Sequence, residues 1–230
     1  MLDRLRQDVF EANIALRESG LVTLTWGNVS GLSDDRKLLV IKPSGVAYDR
    51  MRPEHMVVVD VDSGDVVEGD LRPSSDTPTH RVLYKAFDTI GGVTHTHSPK
   101  ATAFAQARVG IDCLGTTHAD HFYGPIPVTR PLTSEEVDAG YEANTGHVIA
   151  ETFDGRDPLA CPAVLLAGHA PFCWGSTPAA SVNNAIALEA VAAMSLDSFA
   201  LTRPAHPLEN YVLEKHYARK HGPAAYYGQR

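Results

Sequence analysis

Only three cysteines occur among the 230 residues, Cys113, Cys161 and Cys173, and no two of them have C-x-x-C spacing. That scarcity argues against a disulfide framework or a thiolate zinc cluster and fits buried thiols in a reducing, cytoplasmic compartment. No run of lysine and arginine is present and the formal charge is −8, which speaks against a nucleic-acid partner. No stretch approaches the roughly 20 apolar residues that cross a bilayer, so no membrane partner is expected. The opening Met1-Leu2-Asp3-Arg4-Leu5-Arg6 has no apolar signal core. No G-x-G-x-x-G follows a strand, so nothing supports a dinucleotide cofactor. Repeats, low-complexity tracts and a dividing linker are also missing, and one domain over residues 1–230 is expected.

What the chain does have is apolar content of 43%, enough for a substantial core, and 11 histidines. Leu5, Val9, Ala12 and Leu16 mark one face of an opening helix that Gly20 is placed to end. Residues 37–42 and 56–62 read as strands. Thr133-Ser134-Glu135-Glu136 fits a capping box before a helix reaching Glu142 and beyond. Residues 178–201 form an Ala-rich helix, and residues 207–221 another with Gly222 at its end. Strands and helices mix without strict alternation, which predicts a helix-covered sheet of unspecified strand order.

His95-Thr96-His97 is the most informative segment. Residues two apart on a strand share a face, so two imidazoles here point the same way. Such a pair binds a divalent metal or is merely solvated at a strand end. A further histidine, His169, follows the apolar run Ala163-Val164-Leu165-Leu166-Ala167 and sits between Gly168 and Ala170-Pro171. It reads either as a turn residue or as a third ligand, and three imidazoles with an open position would describe a catalytic metal. His55, His147 and His206 lack a comparable context.

Three polar segments suit an anion: Thr25-Trp26-Gly27-Asn28, Lys42-Pro43-Ser44-Gly45 and Pro73-Ser74-Ser75-Asp76-Thr77-Pro78. In the last, Thr77 is the expected N-cap and Pro78 the first helical residue, and a helix N-terminus favours phosphate. Turns and caps use the same residues, so each segment alone has a structural reading as well.

Taken together, Leu24-Thr25-Trp26-Gly27-Asn28-Val29-Ser30, Ile41-Lys42-Pro43-Ser44-Gly45-Val46, the Pro73 segment extended to Thr79-His80, and Thr94-His95-Thr96-His97-Ser98 form a recognisable set. Gly115-Thr116-Thr117-His118-Ala119-Asp120, Pro171-Phe172, Trp174-Gly175, Lys215-His216-Tyr217, Arg219-Lys220-His221-Gly222 and Ala225-Tyr226-Tyr227-Gly228-Gln229 continue it. On these residues the chain resembles the class II sugar-phosphate aldolase/epimerase family, its epimerases in particular. One segment departs: Ala167-Gly168-His169-Ala170-Pro171-Phe172 stands where relatives commonly have His-Ser-His-Gly-Pro-Phe, so the second histidine is kept and the first is not.

The resemblance implies an α/β fold, a three-layer α/β/α sandwich around a mixed, largely antiparallel sheet, assembled as a homotetramer. It implies a Zn2+ site, with Mn2+ or another divalent ion as alternatives, made by His95, His97 and His169 with Asp76 as a further ligand or neighbour. A phosphate pocket follows from Gly27, Asn28, Ser44, Gly45, Ser74 and Ser75, with Lys42 nearby. Asp120 and Tyr227 would carry protons, Tyr227 coming from an adjacent subunit so that active sites lie at subunit interfaces. Supporting roles fall to Thr116, Glu142, His216 and Arg219.

The implied activity is interconversion of L-ribulose 5-phosphate and D-xylulose 5-phosphate, a pentulose 5-phosphate being the small-molecule partner. The C4 hydrogen is not α to the C2 carbonyl, so direct deprotonation gains no enolate stabilisation. Transient oxidation would need a nicotinamide, for which no motif exists here; breaking and re-forming C3–C4 needs a Lewis acid. An aldolase of the same family, which tends to carry Glu in place of Asp76, an epimerase for L-xylulose 5-phosphate or another isomer, and a non-catalytic scaffold are the alternatives.

Overall fold

A computed structural model describes residues 2–202, 204–223 and 225–226. The opening apolar face forms α1 (Leu2–Glu18), with Val9, Ala12 and Leu16 buried. Gly20 follows it with φ +78°, a left-handed conformation that glycine adopts without penalty. Asn13, also buried, uses its side-chain amide as a strand edge would: it donates to the Val29 carbonyl and accepts from the Val29 N–H, both at 3.0 Å. This pins α1 to β1 (Asn28–Leu32).

The sheet runs in the order β4-β3-β2-β1-β5-β7-β6, with β2 at Leu38–Ile41, β3 at Val57–Asp60 and β4 at Val66–Glu68. The other three strands are β5 (Gly92–His95), β6 (Ala163–Leu165) and β7 (Pro171–Gly175). Every pairing between these strands is antiparallel. The parallel contact among the described residues is an isolated bridge, Val128 to Leu165.

Side-chain alternation sorts each strand onto two faces. Leu39, Ile41, Val57, Val59, Phe172 and Trp174 pack in one cluster with Leu83, Phe87, Val148 and Ile149, which come from α2 (Thr77–Ala86) and its loop and from α5 (Ser134–Thr152). On the other face Val40 and Val58 meet Val9 of α1. There too Ala163, Leu165 and Cys173 meet Phe104 of α3 (Pro99–Ala107) and Leu188 of α6 (Pro178–Leu201). The result is the three-layer α/β/α sandwich. Both faces are covered, which is why β2 and β3 read as unbroken apolar runs; each fully buried Val, Leu or Phe contributes roughly 1.5–3 kcal/mol. All three cysteines are free and buried.

Glycine lets α6 start directly against the sheet. A Cβ on Gly92 would lie 2.4 Å from the backbone of Thr177 and Pro178, and one on its sheet partner Gly31 would lie 2.8 Å from Pro178. The helix that follows, 24 residues long, is long and apolar enough by composition to cross a membrane, contrary to the expectation that no stretch approaches that length. Its alanines serve close packing on β5 and β7 and between α1 and α3.

Two helix starts differ from expectation. α2 begins with Asp76 in the N-cap position and Thr77 as its first residue. The Thr77 hydroxyl donates backward to the Ser74 carbonyl at 2.6 Å, and the Asp76 carboxylate is taken by Asn28, so neither side chain caps the helix. The last helix, α7 (Asn210–His221), starts three residues later than Pro207, because Leu208 donates its N–H to the Cys113 carbonyl at 2.7 Å and stays extended. The capping box at Thr133 and Glu136 forms as expected.

Candidate active site

Strand ends build the site. β5 delivers His95 at its last residue, and His97 follows two residues beyond. The turn between β6 and β7 delivers His169. The His95 Nε2 lies 3.2 Å from His97 Nε2 and 3.3 Å from His169 Nε2. His95 is oriented by the Pro171 carbonyl, 2.9 Å from its Nδ1, and by stacking on Phe172 at 4.2 Å. With Nδ1–H donated there, the Nε2 lone pair faces the other two rings.

At these distances a ring nitrogen of His97 or His169 can donate to His95 Nε2, or all three can turn their lone pairs to one cation. Nitrogens bound tetrahedrally to zinc at about 2.0–2.1 Å sit about 3.3–3.4 Å apart, so the donor set fits such an ion. Burial pushes the His169 imidazole down to about 4, with the charges of His95 and His97 adding to the effect. His97 is lowered by burial first and by the charge of His95 next. Neutral imidazoles are the form a metal takes.

These histidines line a cavity of about 560 Å³ together with Gly27, Asn28, Lys42, Ser44, Gly45, Ser74, Ser75, Asp76 and Glu142. Asp76 is held by the Asn28 amide at 2.6 Å, and Asn28 also donates to the Ser74 hydroxyl at 3.1 Å. Burial works to raise the Asp76 carboxyl, but His95, His80 and the Asn28 hydrogen bond outweigh it and hold it below the ordinary range. It stands beside the three converging imidazoles, which among the described residues form the close set.

The anion segments meet at the same cavity. Ser44 donates its N–H to the Arg72 carbonyl and Ser74 to the Lys42 carbonyl, zipping the second and third segments together. Gly27 has φ +80°, and a Cβ there would lie 2.9 Å from the His95 carbonyl, so the first segment can approach the histidine cluster this closely only as glycine. Lys42 is 2% exposed. Its ammonium touches the carbonyls of Pro43 at 3.3 Å and Thr25 at 3.4 Å. Burial pushes it down to about 8, against the pull of Asp76.

Other expected residues lie elsewhere in the chain. Asp120 ends the short helix α4 (Thr116–Ala119) and receives Arg219 Nε at 2.9 Å, Arg219 Nη2 and His216 Nδ1 at 3.1 Å. Burial raises its carboxyl, yet the Arg219 and His216 bonds win and keep it below the ordinary range. Thr116, Asp120, His216 and Arg219 do not line the histidine cavity of this chain. Tyr227 lies outside the described residues.

Sequence reasoning passed over Tyr141, which lines the cavity, and His80. The latter accepts or donates at Ser30 Oγ, 2.7 Å away, and Ser30 meets Tyr84 at 2.8 Å. The spacing of Asp76, His80 and Tyr84, each one helical turn on, was the available signal for this polar stripe. A larger cavity, about 700 Å³, lies at the opposite strand ends between α1 and the start of α6, and no histidine lines it.

Comparison with known proteins agrees with this geometry. Residues 7–196 match the model of the class II aldolase and adducin N-terminal domain. The chain is 52% identical over 229 residues to the L-ribulose-5-phosphate 4-epimerase UlaF of Salmonella paratyphi C (strain RKS4594), with all of both chains covered. UlaF of Salmonella typhi matches equally, 52% over 229 residues with all of both covered. Among solved structures, an L-fuculose 1-phosphate aldolase superposes with a TM-score of 0.78 at 23% identity, covering 94% of this chain and 95% of that one, a likeness of fold. By fold, site and sequence, the chain belongs to the class II aldolase and adducin N-terminal domain family.

Proposed function

We propose that this protein is a metal-dependent L-ribulose-5-phosphate 4-epimerase, with residues 1–230 as one domain of the family type. The observation that carries the reading is one cavity holding both three converging imidazoles and a serine- and glycine-lined anion cradle. Full-length identity to curated epimerases of that name supports the substrate. Asp76 at the position where aldolases of the family tend to carry Glu favours an epimerase over a lyase.

The reaction inverts C4 without redox chemistry. C3–C4 breaks, its electron pair stays on C3, and C4 becomes the aldehyde carbon of glycolaldehyde phosphate as its hydroxyl proton leaves. Re-addition to the other face of that aldehyde restores the bond. A divalent ion held by His95, His97 and His169, with Asp76 beside them, would supply Lewis-acid stabilisation of charge developing on the ketose oxygens.

The chain's own groups do the rest. Ser44, Gly45, Ser74 and Ser75, with the Lys42 ammonium below, hold the phosphate so that the aldehyde turns about a fixed anchor. Asn28 fixes the Asp76 carboxylate, and Glu142 faces the same space. Inversion needs proton handling on two faces, roles we assign to Asp120 and Tyr227. Asp120 and its partners do not line their own chain's cavity, and we assign the active sites to the subunit interfaces of a homotetramer. His216 and Arg219 keep Asp120 ionised, and Thr116 starts the helix that carries it.

A coupled assay for D-xylulose 5-phosphate, run on a panel of ketose phosphates, tests the reading. Turnover should be fastest with L-ribulose 5-phosphate, fall with a strong chelator and return with Zn2+ or Mn2+. His97→Asn should remove most metal and most activity. Full activity in a metal-free preparation, or equal turnover of unphosphorylated L-ribulose, contradicts it.

A further inference from the structure

Each metal-facing imidazole needs its remote nitrogen held, since that bond sets the tautomer and the ring direction. For His95 the Pro171 carbonyl does this at 2.9 Å, on a strand paired on both sides. For the His169 ring no carbonyl among the described residues plays this part. His169 sits in the turn after Gly168, which is exposed with φ +77°, and its own N–H reaches the Leu166 carbonyl at 3.0 Å. The group that meets its Nδ1 is the Tyr141 hydroxyl at 3.4 Å, with the two rings edge-on at 6.2 Å and 70°.

Tyr141 is itself well anchored. α5 breaks at Gly140 (φ 147°, ψ 91°), immediately before Tyr141. The Asn144 amide takes the Glu136 carbonyl at 2.7 Å, bridging the interruption. After the break, the Glu142 carbonyl accepts the Thr79 hydroxyl of α2 at 2.6 Å. The segment carrying Tyr141 is thus tied to the helix whose start carries Asp76.

We propose that Tyr141 is a positioning residue for metal binding: its hydroxyl oxygen accepts the Nδ1 hydrogen of His169 and so aims the His169 Nε2 at His95 and His97. This rests on the metal reading of the three histidines. At 3.4 Å the bond is longer than the 2.9 Å bond of His95, so the hydroxyl holds its ring less tightly than the Pro171 carbonyl holds His95. The kink at Gly140 is what brings a helical residue to this point.

Zinc affinity, measured by competition with a chromophoric chelator on wild type, Tyr141→Phe and His97→Asn, tests the proposal. Phenylalanine keeps the ring contact and removes the hydroxyl alone. Tyr141→Phe should bind zinc about tenfold more weakly, the lower end of what loss of such an outer partner costs. In the zinc-loaded protein with 15N-labelled histidine, its His169 Nδ1–H should exchange faster with solvent. Metal-free unfolding midpoints of wild type and Tyr141→Phe should coincide. Zinc affinity equal to wild type overturns the proposal, as does a Tyr141→Phe protein already destabilised without metal. A wild type that binds zinc no better than His97→Asn overturns the metal reading and, with it, this inference.

Discussion

Replacing Asp120 by Asn should loosen α7 while leaving the sheet as it is. α7 packs on α4 through a small apolar patch, Cys113, Ala119 and Leu213, so its docking leans on polar contacts. Asp120 supplies the strongest of these, to Arg219 and His216, and the three side chains are 12%, 24% and 22% exposed respectively. An asparagine there turns one acceptor oxygen into a donor that faces another N–H. Charge-assisted bonds of this kind contribute about 1.5–3 kcal/mol, and partial solvent access leaves about 2 kcal/mol here. That is about a 30-fold shift in the docking equilibrium, since about 1.4 kcal/mol is tenfold. Hydrogen exchange reads it directly: amides of α7 should exchange about 30-fold faster while those of β5 and β7 keep wild-type rates. Acid should mimic the substitution. The Asp120 carboxyl is depressed in the folded protein, so its contribution is present above the unfolded carboxylate value and is lost as pH falls through the folded one. In wild type, the protection factors of α7 amides, which remove the intrinsic pH dependence of exchange, should fall in that acidic window; in Asp120→Asn they should change little. Unaltered exchange in α7, or an increase spread evenly over the sheet, would refute the reasoning.

Lys42 carries a second pH signature. Its ammonium deprotonates at about 8 in the fold against 10.5 in the open chain, so KM for a phosphorylated substrate should climb above pH 8, and Lys42→Met should abolish that inflection. The same depression means the unfolded chain binds more protons between those values, so stability to urea should rise with pH across that window. Asn28→Ala removes the 2.6 Å bond to Asp76 and should cut kcat about 10- to 100-fold, from about 1.5–3 kcal/mol, with the circular dichroism spectrum unchanged. A kcat at the wild-type level would show that Asp76 needs no such support. Gly92→Ala places a methyl 2.4 Å from the Thr177 and Pro178 backbone and should cost about 3 kcal/mol in urea unfolding; a loss under about 1 kcal/mol would mean α6 can move away freely.

Much of this protein is legible in one dimension. Val9, Ala12 and Leu16 announced α1 by their spacing, the Thr133 capping box marked the start of α5, and the ends of α6 fell at Pro178 and Leu201. Such features are local: a period of 3.6 residues or a cap four residues wide is complete within its own segment. β2 and β3 are as short but carry unbroken apolar runs, whereas β1 and β7 went unassigned because Asn28, Ser30, Gly31, Pro171 and Gly175 interrupt theirs, and β4 because it is three exposed residues. The cap was expected at Thr77 and falls at Asp76, whose carboxylate is claimed by Asn28 of β1, a contact no local segment contains.

The chemistry divides in the same way. His95-Thr96-His97 and the glycine- and serine-rich turns stood out because each packs its functional groups into a few adjacent residues. Only the fold could bring His169 from 74 positions away to 3.3 Å of His95, place Tyr141 against it, and gather Asp120 with Arg219 across 99 residues. Those pairings depend on which strands neighbour one another and where α5 kinks. Strand order is set by the burial of two apolar faces at once, a sum over the whole chain that no single segment contains.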